Sequence, residues 1–137
     1  MGAESEPMTL QGTIGCVRKF HDAFGISCAE GPAGNIGMEG ARLRHELMRE
    51  ENEEYLAAAE QGNLVEVADA LGDMLYILCG TILKHGLQDK IEAVFREIQR
   101  SNMSKLGEDG KPIYRADGKV LKGANYFRPD IASVIGQ

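Results

Sequence analysis

The stretch that most constrains the fold is Glu46–Asp73, ELMREENEEYLAAAEQGNLVEVADALGD. It carries two groups of carboxylates at helical spacing, separated by a short break at Gln61-Gly62-Asn63. Glu50, Glu51 and Glu54 lie one turn or less apart, and Glu66, Asp69 and Asp73 follow at i, i+3 and i+7, in one stripe of a helix. Leu47, Leu64, Val67, Leu71 and Leu75 surround them, apolar enough to bury part of each helix. Like charges one turn apart repel, and a carboxylate buried without a partner is costlier still. No Lys or Arg occurs between Leu56 and Thr81 to offset that charge. Either water solvates an exposed acidic face, or two helices enclose a cation. The short break favours the second arrangement, because it turns one helix back on the other. Carboxylate oxygens suit Mg²⁺, with Mn²⁺ as a substitute, and an anionic phosphate can complete the shell.

The rest of the chain reads as helices around this hairpin. Ile14, Val17, Phe20/His21 and Phe24 predict an amphipathic helix over 12–24, with His21 and Phe24 as packing residues. Residues 27–40, SCAEGPAGNIGMEG, are a Gly-rich loop without either phosphate-binding glycine motif. A second helix runs from Met38 or Glu39 to Gln61, with Leu43, Leu47, Tyr55 and Ala58 inward. A third runs from Leu64 to His85. The second half of the third helix, MLYILCGTILKHG, is nearly all apolar and belongs in a bundle centre or an oligomer interface. A fourth spans about Gln88 to Asn102, with Ile91, Val94, Phe95 and Ile98 inward. Helical period then ends. Ala116-Asp117-Gly118 between two short apolar runs signals a hairpin, followed by an irregular tail. The expected architecture is all-α: a four-helix-bundle-type subunit in a single domain, 1–137, with residues 106–137 as a C-terminal β-hairpin and tail.

Charge is unevenly distributed in a chain of net charge −6: residues 30–73 hold eleven acidic and three basic side chains, residues 84–128 ten basic and six acidic. An acidic centre beside a basic tail suits a ligand carrying metal and phosphate, and gives no broad basic face for nucleic acid. Cys16, Cys28 and Cys79 are odd in number and form no C-x-x-C pair, so reduced thiols are expected. The acidic first ten residues lack the apolar run of a signal peptide and are expected to be disordered. No stretch is long enough to span a bilayer. A cytoplasmic protein without membrane contact is the reading.

Taken in order, EExxE at Glu50–Glu54, ExxD at Glu66–Asp69, EVADALGDMLYILCGT, EIQRSNMSK and DGKVLKGANYFRPD resemble the all-α nucleoside triphosphate pyrophosphohydrolase superfamily over about residues 40–130. That superfamily includes MazG, the dimeric dUTPases and phosphoribosyl-ATP pyrophosphohydrolase. The chain is most similar to small MazG-like proteins with dUTPase-like features. The resemblance implies a MazG-like fold and a Mg²⁺ site on Glu50, Glu51, Glu54, Glu66 and Asp69. It also implies substrate contacts from Asn102 and Lys105, with Lys119, Lys122 and Tyr126 similarly placed. Where MazG has EELGD this chain has DALGD, so Ala70 replaces a Glu. Asp73 is left as a ligand, a group behind the ligands, or a partner for a Lys or Arg.

The residues alone suit the same chemistry. Hydrolysis of a nucleoside triphosphate to monophosphate and pyrophosphate needs charge neutralisation and a positioned water. A carboxylate not fully engaged by metal can take the water's proton, and Glu50 or Glu51 is the candidate. The lysines can bind outer phosphates as point charges. SNMSK is equally an ordinary helix end, and DGKVLKG an ordinary charged hairpin; the residues leave both readings open. The function expected is nucleotide-pool house-cleaning. The alternatives are a non-catalytic metal- or nucleotide-binding module, or a phosphoribosyl-ATP pyrophosphohydrolase. The apolar face from Met74 to Leu83 predicts a homo-oligomer, a dimer or a dimer of dimers.

Overall fold

The computed structural model describes residues 7–137, which are helical throughout their regular structure and group into two compact units, one ending at Gln88 and the other running Asp89–Gln137. The first unit holds α1 (Leu10–Ala23), α2 (Met38–Glu60) and α3 (Leu64–Lys84); the second holds α4 (Ile91–Met103) and the short α5 (Ile131–Ile135). Of the ten N-terminal residues expected to be disordered, 1–6 lie outside the described residues. Thr9 and Leu10 are instead part of a helix start, where the Thr9 hydroxyl accepts from the Gly12 N–H at 2.9 Å.

In the first unit α3 packs against both α2 and α1. Ile14, Val17 and His21 of α1 are buried at i, i+3 and i+7, the stripe that the sequence pattern predicts. Phe24 does not share that burial. It is the residue that ends α1, beyond the last inward turn, and it stacks on Phe20 with ring centroids 4.4 Å apart. Asn63 caps α3 by accepting from the Glu66 N–H at 3.2 Å, and Gly62 before it takes φ +64. The carbonyls left over at the far end of α3 find partners in the Gly-rich loop. The Ala29 and Ala33 N–H groups donate to Lys84 O and His85 O, at 3.3 and 2.8 Å. The apolar half of α3 divides as its period requires: Cys79, Gly80, Ile82 and Leu83 are buried, whereas Leu75, Tyr76 and Leu78 are exposed.

In the second unit α4 begins at Ile91, three residues later than predicted, because 88–90 form turns. Phe95, expected inward, is exposed. The predicted hairpin is present only as a single antiparallel bridge between Tyr114 and Val120, around Gly118 at φ +88. Backbone bonds cross the loop, Arg115 N–H to Lys119 O and Leu121 N–H to Ile113 O at 2.8 Å each, and Asp117 adds to them by accepting from the Arg115 guanidinium and from the Lys119 N–H within the turn. The tail is pinned to α4 by buried groups: Ser101 Oγ donates to Phe127 O at 2.8 Å, and buried Glu97 accepts from the Asp130 N–H at 3.1 Å. Asp130 then caps α5, a helix too short for periodicity to reveal.

Candidate active site

Arg44, Leu47, Glu51, Glu54 and Ala58 recur along α2 at steps of three and four, so they share one inward stripe. The antiparallel stripe of α3 carries Asp73, Ile77, Gly80 and Lys84. Where the two meet, carboxylate oxygens of Glu51, Glu54 and Asp73 all lie within 4.8 Å of one another. Asp73, whose role the sequence leaves open, is therefore in the cluster. Asp69, one turn earlier on α3, is close enough to act on Glu51 through its charge. Glu50 and Glu66 are exposed and stand outside the converging trio; Glu66 lies in the first turn of α3, where its charge suits the helix dipole.

This cluster is under electrostatic strain. Glu51 is half-buried, and its Oε2 is inaccessible to solvent without a hydrogen-bond partner among the described residues. Its pKa is pushed up to about 7, first by burial, then by a proton-sharing contact with Glu54, then by the charges of Glu54, Asp73 and Asp69. No described Lys or Arg forms an ion pair with any of the three, and the nearby Arg49 is engaged by Glu46. An orphaned buried oxygen, two carboxylates beside it and no protein cation are what a hard divalent ion would complete. The donor set fits one.

The predicted substrate residues all lie in the second unit. Asn102 is in the last turn of α4, and Lys105 follows it, its carbonyl accepting from the Gly123 N–H at 2.8 Å. Lys119 is in the bridged turn, and Lys122 Nζ sits 4.7 Å from the Tyr126 ring centroid, so the structure brings those two together.

Sequence reasoning passed over a second feature of the first unit. A cavity of about 350 Å³ is lined by Phe20, His21, Leu43, Leu47, Arg44 and Tyr76, among others. Arg44 is only 7% exposed yet has no carboxylate partner; its Nε donates to Thr81 Oγ1 at 3.1 Å and its Nη2 to Ile77 O at 3.0 Å. The signal available in the sequence was an arginine on the same stripe as Leu47 and Glu51.

Residues 17–102, more than half of the chain, match the family model described as phosphoribosyl-ATP pyrophosphohydrolase. The chain belongs to the phosphoribosyl-ATP pyrophosphohydrolase family. Membership places it among the all-α nucleoside triphosphate pyrophosphohydrolases that its motifs resemble, as a nucleotide pyrophosphohydrolase, a hydrolase of acid anhydrides. The family match runs through both acidic groups and through Asn102. A solved structure, that of a candidate NTP pyrophosphohydrolase from Exiguobacterium sp. 255-15, is 24% identical and covers 96% of each chain at a TM-score of 0.48. No curated protein matches the chain. No helix among the described residues is long and apolar enough to cross a membrane.

Proposed function

We propose that this protein is a Mg²⁺-dependent nucleoside triphosphate pyrophosphohydrolase that releases monophosphate and pyrophosphate and serves nucleotide-pool house-cleaning in the cytoplasm. The observation that carries the reading is the trio Glu51, Glu54 and Asp73 with its partnerless buried oxygen. These residues would hold a divalent cation, which when bound would supply neutralisation of phosphate charge and polarisation of the phosphoryl oxygens. Asp69, beside the trio, adds negative charge that strengthens cation binding. Glu51 is the group that accepts the proton of the attacking water, with Glu50 as the alternative from the same turn. Lys105, Lys119, Lys122, Asn102 and Tyr126 are assigned to the substrate, the lysines as point charges for phosphate.

A second reading, phosphoribosyl-ATP hydrolysis, is favoured by the description of the matching family model. Phosphoribosyl-ATP therefore belongs in the test. Pyrophosphate release is measured for canonical and modified nucleoside triphosphates and for phosphoribosyl-ATP, with and without Mg²⁺, beside Glu51→Gln. Mg²⁺-dependent release from one or a few nucleotides is expected, reduced on the order of 100-fold or more in the variant. Release from none, with metal still bound, would sink the enzyme reading in favour of a binding module.

A further inference from the structure

The cavity of the first unit adjoins the carboxylate trio along the same two helices. Leu47 on its wall is one turn before Glu51, and Tyr76 is one turn after Asp73. Arg44 precedes Glu51 by seven residues, about 10 Å along the helix axis. The groove therefore offers space beside the trio for the sugar and base of a nucleotide whose phosphates lie there, and the cavity volume falls within the rough range of small-ligand pockets.

Its lining matches a base in two respects. Phe20 and Tyr76 meet edge to face at 5.7 Å between centroids, which offers aromatic surface to a planar ring. Arg44 supplies the polar contact. Buried charges are ordinarily paired, and Arg44 is not. Its Nε and Nη2 are spent on α3, but its Nη1 has no partner among the described residues. Room for it is made by Gly80: a Cβ there would lie 2.5 Å from Arg44 Nη2 and 2.9 Å from His21 Nε2. A side chain at 80 would displace both groups, so the glycine lets a guanidinium and an imidazole sit side by side in the wall.

We propose that this cavity holds the base of the substrate and that Arg44, a donor with no acceptor capacity, selects bases that present a carbonyl oxygen. Uracil, cytosine, guanine and hypoxanthine qualify; adenine has no carbonyl and accepts only at ring nitrogens, of which N1 and N7 lie beside its own amino donor, so it is the weaker partner. The inference rests on the nucleotide-hydrolase reading, and metal-free binding separates the two. Nucleoside monophosphates are titrated into the protein without divalent metal, with Mn²⁺ binding as a separate readout. UMP, CMP, GMP and IMP are expected to bind about tenfold or more tighter than AMP. Arg44→Gln should bring the ratio close to one while Mn²⁺ binding is kept. Phe20→Ala, at the rim, guards against a misfolded Arg44 variant; it should weaken every monophosphate about tenfold and leave the ratio intact. AMP binding as tightly as the others, no monophosphate binding at all, a preference unchanged in folded Arg44→Gln, or unchanged binding in Phe20→Ala would each overturn the proposal. Selective binding without any hydrolysis would leave the pocket standing and remove only the catalytic reading.

Discussion

Glu51 couples the protein's stability to pH in a direction opposite to most carboxylates. Its folded pKa of about 7 stands above the ordinary value of 4.5, so the folded state keeps a proton that the unfolded chain gives up. The sign follows: this contribution is fully present below about 4.5 and is lost as pH rises through about 7. In metal-free protein, Glu51→Gln should therefore flatten the decline in melting temperature across that window and raise stability most at pH 8. Mg²⁺ should stabilise wild type more at pH 8 than at pH 5.5, because a ligand must lose its proton to bind metal. Melts of both proteins over this range, with and without Mg²⁺, check it; a wild-type slope identical to that of Glu51→Gln would refute it. His21 has the reverse shift for a base: burial, then the charges of Arg44 and Lys84, hold its pKa below 6.5, which favours a neutral imidazole beside Arg44.

The elements are set by their ends. Gly62 and Gly86 have nearly the same backbone, φ +64 and +66, and follow α2 and α3 respectively. Their surroundings differ. A Cβ on Gly62 meets nothing within 4 Å, whereas one on Gly86 would lie 2.2 Å from the carbonyl oxygen of Gly31. Gly62→Ala is expected to cost about 1–2 kcal/mol, the penalty of the left-handed region alone. Gly86→Ala should cost about 3 kcal/mol or more, because backbone of the Gly-rich loop must also move. Urea denaturation of the two variants tests this, and equal costs would show that the loop does not seat against α3 as described. Helix positions and types were legible from period and punctuation: the sequence places α2 and α3 within a residue or two of Met38–Glu60 and Leu64–Lys84. α5 was not, since five residues make too little of a helix turn pattern, and the predicted hairpin was reduced to one bridge.

For the whole molecule, the exposed apolar stripe of α3 is the unfinished surface. Leu64, Leu71, Leu75 and Leu78 follow one another along one face and are 79%, 50%, 49% and 48% exposed. A second copy of this chain is the proposed cover, in line with the homo-oligomer that the apolar sequence predicts. Sedimentation equilibrium should give a dimer or a dimer of dimers, and Leu71→Lys with Leu75→Lys should shift it towards monomer without unfolding α3, since both side chains are already exposed. A wild-type monomer at all concentrations would remove the proposal.

The sequence by itself determined the helical class, the hairpin of α2 and α3, and the two acidic groups. These follow from short-range physics: the period of apolar residues, a Gly-Asn break and repulsion between like charges one turn apart. Tertiary structure decided which carboxylates converge. The choice of Glu51, Glu54 and Asp73, with Glu50 and Glu66 outside, depends on the rotation of α2 about its axis against α3, which spacing along one helix cannot specify. It also decided that Arg44 is buried beside His21, because that requires an empty position opposite, supplied by Gly80 thirty-six residues away.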